Sequence, residues 1–543
     1  MSSPSPKIAI IGGGLGGLST LLSLLKNDFT NVTCYERDQH FNDRMNGYGL
    51  TLSYNPKGPL AKLGILEKVA RSDCKSREHY VFTSTGTLLG YFGNTYRSWS
   101  HFKTGQRGNL RVPRQLLRKI IIDSIQIECT RLGVNVEDVL VWGKDLNCLK
   151  ISEGGLVEVL FKDTTREQGI EILVGADGVR SNVMKHLNSI VQNPPLPPPS
   201  GSYLGVFLVI GLSKLNHPLL FESGFYTVDG SARLFLMPFK EGETMWQLSF
   251  RCENWEEAER IKRSGVEGIL NFVKGIVNTW HSPIPELISD TEIKTIWGTG
   301  LVDRNPSPIN VKGVKGRVVV IGDGMHAMSP FKGQGANQAL TDGPALVEKL
   351  KGCKNIHAAL LNFEREMIDR TKIKVKDSRK AAGFLHSEKV LSEDEVFAGV
   401  KSADVPRLLE ELRKRNIGAE TDDLEGAIKQ VMNELGVVCE GFEEGFVKPK
   451  LNEEDMLITQ KMALEGDMPG IRRMSILNPM LLHGKDGEGR SLIRLACEGE
   501  GEQVSEVMVK WLVEEARVEL SEDVLEALEK KNEALRAWLA ERL

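Results

Sequence analysis

The chain has 543 residues, of which 41% are hydrophobic and 26% are charged, and its formal net charge is -4. This length exceeds what one compact core usually holds, since domains contain about 100 to 200 residues, so we expect several domains. The sequence has no apolar run of the roughly 18 residues that a membrane-spanning helix needs, and we expect no transmembrane segment.

The first elements form a pattern of strand, turn and helix. Residues 7–11 (KIAII) are a short apolar run that ends at glycines, and the leucines of residues 15–25 then repeat on one helical face. Residues 31–36 (NVTCYE) are typical of a second strand. The pattern predicts a βαβ unit at the start of the chain.

The turn after the first strand has the spacing of a dinucleotide site. Gly12, Gly14 and Gly17 form G-x-G-x-x-G, which permits a tight turn, a close approach of a pyrophosphate and close packing of helix on strand. Glu36 ends the second strand, where a carboxylate can accept hydrogen bonds from both hydroxyls of a ribose. We therefore predict a dinucleotide site; the alternative is a nucleotide-free turn with a surface glutamate.

Composition indicates where the first domain is interrupted. The proline cluster at residues 194–199 (PPLPPP) breaks regular structure and marks a boundary. Strand-like patterns follow from Ser202 to about Ile296, with helical stretches near residues 255–280. The strand of residues 317–323 (RVVVIGD) then leads into a second glycine-rich turn, so we predict a first domain that is split in sequence.

Beyond about His386 the sequence becomes acidic and rich in helical patterns. Residues 388–543 hold 21 Lys and Arg against 35 Asp and Glu, a net charge of -14, whereas the rest of the chain holds 48 against 38, a net charge of +10. Residues 396–415 and 489–515 each resemble the helix pair of an ankyrin repeat, without its TPLH turn or a clean repeat of about 33 residues. The alternative is a plain helical appendage. We expect a chain cut after about Ser387 to remain folded and yellow and to oxidise NAD(P)H in the presence of oxygen; the alternative is that tail helices cover the substrate or flavin domain.

Four further segments occur in a specific order: residues 36–56, 112–117, 175–183 and 322–343. With the first glycine-rich turn, they resemble the class A FAD-dependent monooxygenases of the aromatic-ring hydroxylase type, over about residues 7–385. The resemblance implies an α/β fold with a Rossmann-type FAD-binding domain split in sequence, an inserted mixed β-sheet substrate domain and a C-terminal α-helical extension. The corresponding ranges are 1–190 and 299–386 for the FAD-binding domain, 200–298 for the substrate domain, and 388–543 for the acidic helical, ankyrin-like or plain, tail.

The resemblance also assigns roles to single residues. Arg37, Arg44 and Arg114 match groups on the cofactor side, and Arg44 and Arg114 are expected near the FAD pyrophosphate and ribityl chain, since guanidinium groups suit phosphate oxygens. Asp177 matches a motif that supports FAD and transient NAD(P)H binding, and we expect it to close a turn before a helix. Asp323 matches the aspartate that hydrogen-bonds the ribityl hydroxyls. The loop that passes the isoalloxazine ring is matched by Pro330, Gly333, Gly335 and Asn337.

The activity that the resemblance implies is hydroxylation of an aromatic or polycyclic, polyketide-like small molecule by O2 through a flavin C4a-hydroperoxide. FAD is expected to bind non-covalently, with NADPH or NADH as a transient reductant. No side chain is assigned as catalytic, because the cofactor carries the difficult chemistry, and His326 is interpreted as structural rather than as a base. The alternatives are an epoxidase, oxidase or dehydrogenase on the same scaffold, or a flavin-binding scaffold whose tail binds a protein partner.

The remaining expectations concern the cellular location of the protein, its cysteines, its binding partners and its large apolar side chains. The start of the chain lacks a secretory pattern, so we expect a cytoplasmic protein, and eight scattered cysteines without a CxxC pair predict free thiols and no metal site. No nucleic-acid partner is expected. Large side chains of the strand-rich segment either line a substrate pocket or form ordinary sheet core. These side chains are Tyr203, Phe207, Phe225, Tyr226, Phe235, Met237, Trp246 and Phe250.

Overall fold

The computed structural model places the chain in two compact units, one of residues 1–97 and 106–438 and one of residues 98–105 and 439–543. The structure describes residues 6–43, 48–74, 76, 78–93, 109–152, 155–190, 201–220, 223–240, 242–309, 314, 316–392, 395, 397 and 406–435. All of these residues belong to the first unit, to which the structural description below refers.

Strands and helices alternate in the first part of the chain, and strands dominate its middle. The strands are β1 (Ile8–Ile11), β2 (Val32–Tyr35), β3 (Gly49–Leu52), β4 (Glu78–Thr83), β5 (Leu88–Gly93), β6 (Leu110–Pro113), β7 (Leu140–Val141), β8 (Leu146–Ile151), β9 (Val157–Phe161), β10 (Arg166–Ile170), β11 (Ile172–Gly175), β12 (Ser202–Ser213), β13 (Ser223–Val228), β14 (Ala232–Lys240), β15 (Glu243–Arg251), β16 (Trp297–Asp303) and β17 (Val318–Val320). The helices are α1 (Leu15–Leu25), α2 (Pro59–Lys62), α3 (Leu66–Arg71), α4 (Arg114–Leu132), α5 (Val136–Val139), α6 (Asn182–Ile190), α7 (Trp255–Arg263), α8 (Gly265–Val277), α9 (Ile284–Ser289), α10 (Asp323–His326), α11 (Gly335–Leu350), α12 (Ile356–Leu385), α13 (Pro406–Lys414) and α14 (Leu424–Glu434). Among these helices none has both the length and the apolar composition to cross a membrane.

A parallel sheet in the order β17-β11-β1-β2-β7 forms the first layer. Each neighbouring pair in it runs parallel. The chain leaves β1 toward β2 on one side and returns to β11 on the other, so the strand order reverses at β1. The carboxyl ends of β1, β2, β11 and β17 therefore meet at one edge, where open α/β sheets bind their ligands. This is the split Rossmann-type domain that the sequence predicts.

Helices cover this sheet closely. Every residue of α1 is buried, because α1 packs against α4 and α11 as well as against the sheet. A Cβ on Gly343 of α11 would lie 2.6 Å from the backbone nitrogen of Thr20, and Ser19 Oγ donates to the carbonyl oxygen of Leu340 at 2.8 Å. The second glycine-rich segment is thus held against the helix that follows the first glycine-rich turn.

The second layer is a mixed sheet in the order β16-β12-β15-β14-β13-β4-β5. Its pairs are antiparallel except for β13 and β4, which run parallel with Ser223 opposite Glu78. The inserted mixed-sheet domain predicted for residues 200–298 therefore also includes the hairpin of residues 78–93. The apolar run of residues 202–213 forms the long internal strand β12.

Two smaller sheets complete the described part. β8, β9 and β10 form an antiparallel meander, and β3 pairs antiparallel with β6. The β3 strand also touches the large sheet, because the backbone nitrogen of Gly49 lies 3.0 Å from the sulfur of Met245. A Cβ on Gly49 would lie 3.0 Å from Cε of Met237. The first domain and the large sheet are therefore in direct contact at β3.

The first part of the predicted tail packs on the edge of the large sheet. Arg413, on α13, donates from Nε to the carbonyl oxygen of Leu88 at 2.9 Å and from Nη2 to that of Leu89 at 3.0 Å. Gly418 forms an antiparallel bridge with Thr87. Residues 406–435 thus belong to the compact unit of the two large sheets, whereas residues 489–515, the second ankyrin-like stretch, lie outside the described residues.

Candidate functional site

The first glycine-rich turn joins β1 to α1 at the point where the strand order reverses. Gly12 has a φ of +108°, and a Cβ there would lie 2.5 Å from the carbonyl oxygen of Ala176. A Cβ on Gly17 would lie 1.9 Å from the carbonyl oxygen of Gly12. The turn itself therefore requires both glycines. Gly14 differs, because the nearest atom to a Cβ there, apart from its own chain neighbours, is Arg114 Nη2 at 4.0 Å. The Gly14 backbone faces an opening bordered by a guanidinium group.

Glu36 is buried beside this turn. Its Oε2 accepts a hydrogen bond from the backbone nitrogen of Gly13 at 2.7 Å, and its Oε1 accepts one from that of Asp38 at 3.1 Å. Arg118 lies behind the carboxylate, with Nη2 3.9 Å from Glu36 Oε2 and Nε donating to the carbonyl oxygen of Gly13 at 3.0 Å. Sequence analysis missed Arg118, because its partner is a backbone carbonyl and no motif spacing marks it.

The three predicted arginines have different surroundings. Arg114 begins α4, and its guanidinium carbon lies 5.9 Å from the centre of the Tyr48 ring. Its backbone nitrogen donates to the carbonyl oxygen of Tyr48 at 2.9 Å, which ties the start of α4 to β3. Arg37 is exposed, directly after Glu36, and Arg44 lies outside the described residues. Of the three, the structure brings Arg114 to the glycine-rich turn.

Asp177 follows β11 and caps the next helix. Its Oδ2 accepts hydrogen bonds from the backbone nitrogens of Asn182 at 2.6 Å and Val183 at 3.1 Å, which confirms the predicted turn-closing contact. Its Oδ1 is buried and has no hydrogen-bond partner among the residues that the structure describes. Burial raises the pKa of Asp177, and hydrogen bonds from Ser181 and from the backbone of Val183, Asp177 and Asn182 oppose that rise. The orphaned oxygen lies next to the glycine-rich turn and is a group that a ligand could satisfy.

Asp323 follows β17 and lies in a recess. Its side chain is exposed, although Ile321, Gly322, Gly324 and Met325 on either side of it are buried. Protein nevertheless crowds the walls of the recess, and this desolvation raises the pKa of Asp323. The side chain therefore borders an opening at the same sheet edge as the glycine-rich turn.

A buried arginine that sequence analysis missed joins these loops. Arg304 Nη1 donates to the carbonyl oxygen of Asp323 at 2.9 Å and also to that of Gly324, and its Nη2 donates to that of Val179 at 2.9 Å. It therefore fixes the loop after β11 against the loop after β17. Its partners are again carbonyl groups, distant in sequence, so that no local pattern identifies it.

His326 is structural, as its sequence context predicts. It is fully buried, and its Nε2 lies 2.8 Å from Asp342 Oδ2, an oxygen that also accepts from the backbone nitrogen of Gly322 at 2.8 Å. Arg370 Nη2 donates to Asp342 Oδ1 at 2.9 Å. Burial alone would raise the pKa of Asp342, but His326 and Arg370 outweigh it and hold that pKa below its ordinary value. Asp342 thus anchors the turn that presents Asp323.

We expect Asp342→Asn to lower the free energy of unfolding by about 3 kcal/mol, the lower end of the range for breaking a buried ion pair, because Arg370 keeps its bond to Glu366. The pKa of Asp342 is depressed on folding, so its stabilisation is complete above the unfolded pKa and is lost as the pH falls through the folded pKa. The variant should therefore be less stable at neutral pH and less sensitive to acid. Thermal unfolding from neutral to acid pH measures both effects.

The matched control is Glu366→Gln, since Glu366 also pairs with Arg370 but its side chain is 40% exposed. That variant should lose at most about 1 kcal/mol. Equal losses in the two variants would contradict the role given to Asp342.

The second glycine-rich loop lies beyond the recess. Pro330 is exposed and starts a short 3-10 turn that ends at Gly333, which has a φ of +60°. Gly335 then begins α11, so the loop leads directly into the N-terminus of a 16-residue helix. Unsatisfied backbone N-H groups and the helix dipole at such a terminus favour negative charge.

Asn337 fixes the position of this loop. Its Nδ2 donates to the carbonyl oxygens of Thr51 at 3.0 Å and Gly333 at 2.8 Å, and its Oδ1 accepts from the backbone nitrogen of Ser53 at 3.0 Å. The amide therefore holds the loop against the end of β3. This contact is structural, and it places the loop between the first domain and the large sheet.

The face of the large sheet nearest this loop is apolar. Phe331 and the C-terminal part of α12 pack on it. Its buried side chains include Val206, Leu208, Ile210, Tyr226, Phe235, Met237 and Met245. Of the eight large side chains that the sequence offers, Tyr226, Phe235 and Met237 lie on this face. Others pack elsewhere: Phe250 contacts Phe272, Tyr203 contacts Trp255, and Trp246 donates to Thr291.

The arrangement fits an elongated dinucleotide such as FAD. The open backbone at Gly14, the orphaned Asp177 oxygen and the exposed Asp323 lie at the ends of adjacent parallel strands. Glu36 borders one end of this line, and the loop of residues 330–337 borders the other. Ligands of open α/β sheets bind across such a line.

Comparisons with known proteins agree with this geometry. A family model described as FAD binding domain matches residues 6–360. The chain is 29% identical to 6-hydroxynicotinate 3-monooxygenase of Pseudomonas fluorescens over 383 residues, 68% of this chain and 89% of that protein. It is 25% identical to 6-methylsalicylate 1-monooxygenase of Aspergillus terreus over 395 residues, covering 69% and 82% of the two chains. The structure of Klebsiella pneumoniae HpxO with FAD and uric acid shares the fold, with a TM-score of 0.58 at 20% identity over 78% of this chain and 96% of that one.

Proposed function

Because this chain belongs to the FAD-binding family of aromatic-hydroxylase-type monooxygenases, we propose that it uses NAD(P)H and O2 to hydroxylate an aromatic or polycyclic, electron-rich small molecule. The observation that carries the proposal is the meeting of the loop of residues 330–337 with the apolar face of the large sheet. A flavin ring beside that loop and a substrate on that face would be neighbours.

Most of the predicted site residues have a role in this proposal. Glu36 would accept hydrogen bonds from the adenosine ribose, and Gly14 and Arg114 would border the pyrophosphate. Asp323 would accept from the ribityl hydroxyls. Pro330, Gly333 and Gly335 would shape the loop beside the flavin ring, where the N-terminus of α11 stabilises negative charge. Arg37 and Arg44 are proposed on the cofactor side from the resemblance alone.

Bound FAD would supply the redox chemistry, taking reducing equivalents from NAD(P)H and activating O2 for transfer of one oxygen atom. The chain would contribute orientation and exclusion of water. Buried side chains such as Leu208, Phe235 and Met237 belong to the apolar cluster that includes Phe331 of this loop. A dry apolar wall of this kind protects reactive oxygen species from hydrolysis and unproductive release.

The test is substrate-stimulated oxidation of NADPH and of NADH by the full-length holoenzyme, screened over phenols, heteroaromatic hydroxy acids and polyketide-like polyphenols. We expect at least one compound to accelerate NAD(P)H oxidation and to give a product that carries one atom from 18O-labelled O2. A product with an epoxide would identify an epoxidase instead. Stimulated oxidation that ends only in hydrogen peroxide would favour an oxidase, and no stimulation by any compound would favour a scaffold role.

A further inference from the structure

Two arginines that lie one turn apart on α4 reach consecutive residues of the first glycine-rich turn. Residues four apart on a helix share a face, and Arg114 and Arg118 have this spacing. A Cβ on Gly14 would lie 4.0 Å from Arg114 Nη2, whereas Arg118 Nε donates to the carbonyl oxygen of Gly13 at 3.0 Å. The FAD site proposed above uses Arg114 and gives no role to Arg118.

The guanidinium group of Arg118 is fixed in position behind the turn. The residue is 1% exposed, and its guanidinium carbon lies 5.4 Å from the ring centre of Phe41 and 5.3 Å from that of Trp142. Cation-π contacts with two rings limit the positions that the group can take. Its Nε donor is therefore directed at one acceptor, the carbonyl oxygen of Gly13.

Arg118 and Glu36 together hold both peptide groups of Gly13. Glu36 Oε2 accepts from the Gly13 backbone nitrogen at 2.7 Å, and Arg118 donates to the Gly13 carbonyl oxygen. The peptide bond between Gly13 and Gly14 is trans and planar, so the N-H group of Gly14 points opposite to that carbonyl group. The N-H group of Gly14 is therefore directed away from Arg118. Gly14 is the N-cap of α1, where N-H groups lack intrahelical partners and favour an anion.

The ion pair with Glu36 does not by itself explain the buried arginine. Arg118 Nη2 lies 3.9 Å from Glu36 Oε2, which is longer than a hydrogen bond. Burial of two charges costs free energy that their attraction offsets only with excellent geometry, so a buried ion pair is weak evidence for stability. The short, directional contact of Arg118 is the one with the Gly13 carbonyl group. The peptide orientation that this contact enforces is the better explanation.

We propose that Arg118 is a positioning residue for FAD. By holding the Gly13 carbonyl group, Arg118 turns the N-H group of Gly14 toward the pyrophosphate of the cofactor. Its charge also keeps the Glu36 carboxylate in place for the adenosine ribose. Arg118 acts through these two residues and does not itself touch the cofactor. The inference rests on the roles proposed for Gly14 and Glu36 in binding FAD, and it does not depend on the hydroxylation or its substrate.

The experiment measures FAD bound to the full-length holoenzyme in equilibrium dialysis against ADP or riboflavin, with the flavins separated by chromatography. ADP carries the ribose and two phosphates, whereas riboflavin carries the flavin ring and the ribityl chain. We expect Arg118→Met to weaken binding of FAD and of ADP by the same factor, about tenfold to a hundredfold, the value of a hydrogen bond to a charged group. The dissociation constant of riboflavin should stay at its wild-type value.

Two further variants control for charge and for surface changes. Arg118→Lys keeps a positive charge beside Glu36 but loses the planar guanidinium group, so we expect a smaller loss of ADP affinity than in Arg118→Met. The matched control is Lys119→Met, because Lys119 is the next residue of α4, has a side chain that is 59% exposed, and pairs with Asp123 on the same helix. This control should keep the wild-type dissociation constants of all three ligands.

Three results would overturn the proposal. Unchanged ADP affinity in Arg118→Met would show that the glycine-rich turn does not need the arginine. Equal weakening of ADP and riboflavin binding would show general damage to the fold. Failure of both Arg118→Met and Arg118→Lys to fold would make Arg118 a structural residue. These dissociation constants require no turnover, so failure here is distinguishable from failure of the proposed hydroxylation.

Discussion

Glu36→Ala is expected to purify largely as colourless apoprotein. If Glu36 accepts hydrogen bonds from two ribose hydroxyls, each bond to the charged acceptor contributes about 1.5 to 3 kcal/mol, so the loss weakens FAD binding by several orders of magnitude. The substitution also removes the acceptor for the backbone nitrogen of Gly13, 2.7 Å away, and the negative charge beside Arg118. The measurement is the ratio of flavin to protein absorbance after purification and after reconstitution with excess FAD.

Two variants separate loss of the ribose contact from damage to the turn. Glu36→Gln keeps one acceptor oxygen for Gly13 but loses the charge and replaces the second acceptor oxygen by a donor, so we expect it to retain partial flavin. Glu256→Ala removes an exposed glutamate in the first turn of α7 and should keep full flavin. A folded Glu36→Ala protein with wild-type flavin occupancy would show that Glu36 only stabilises the glycine-rich turn.

Local patterns were sufficient to predict the glycine-rich turns. Gly12 has a positive φ, and a Cβ on Gly17 would meet the carbonyl oxygen of Gly12, so both of these constraints lie within the same βαβ unit. The contact of Asp177 with the start of α6 is equally local, five and six residues along the chain. Predictions that depend on one strand, its turn and its helix are therefore the ones that the structure confirms.

Long-range pairings could not be predicted in this way. The hairpin of β4 and β5 joins a sheet whose other strands begin more than 100 residues later, and the pairing of Ser223 with Glu78 has no sequence signature. Arg118 and Arg304 were missed for the same reason, since each donates to distant carbonyl groups.

The boundary of the tail also depends on long-range contacts. Charge and composition change near Glu388, which suggested a separable module from that residue onward. In the structure, the segment after α12 contributes buried side chains to the first compact unit. They are Val390, Leu408, Leu412, Ile428 and Val431, each at most 1% exposed. The compact unit ends at Val438, so we propose the separable boundary there.

We therefore expect a chain cut after Ser387 to be insoluble or colourless, contrary to the expectation from sequence. Burial of one large apolar side chain contributes about 1.5 to 3 kcal/mol, and a domain is stable by only about 5 to 15 kcal/mol in total, so loss of α13 and α14 removes a large share of that stability. It also exposes the carbonyl groups of Leu88 and Leu89, which Arg413 now caps at the edge of the large sheet. An uncapped sheet edge favours aggregation.

The matched variant is a chain cut after Val438, which keeps both helices and all of the described residues. We expect it to be yellow, to melt within a few degrees of the full-length protein, and to oxidise NAD(P)H in the presence of substrate. Flavin absorbance, melting temperature and sedimentation of the two truncated chains are the measurements. If the chain cut after Ser387 is soluble and yellow and has an unchanged melting temperature, the boundary near Glu388 that the sequence predicts would be correct. That result would show that the contacts of Arg413 and Val390 contribute little to the stability of the catalytic domains.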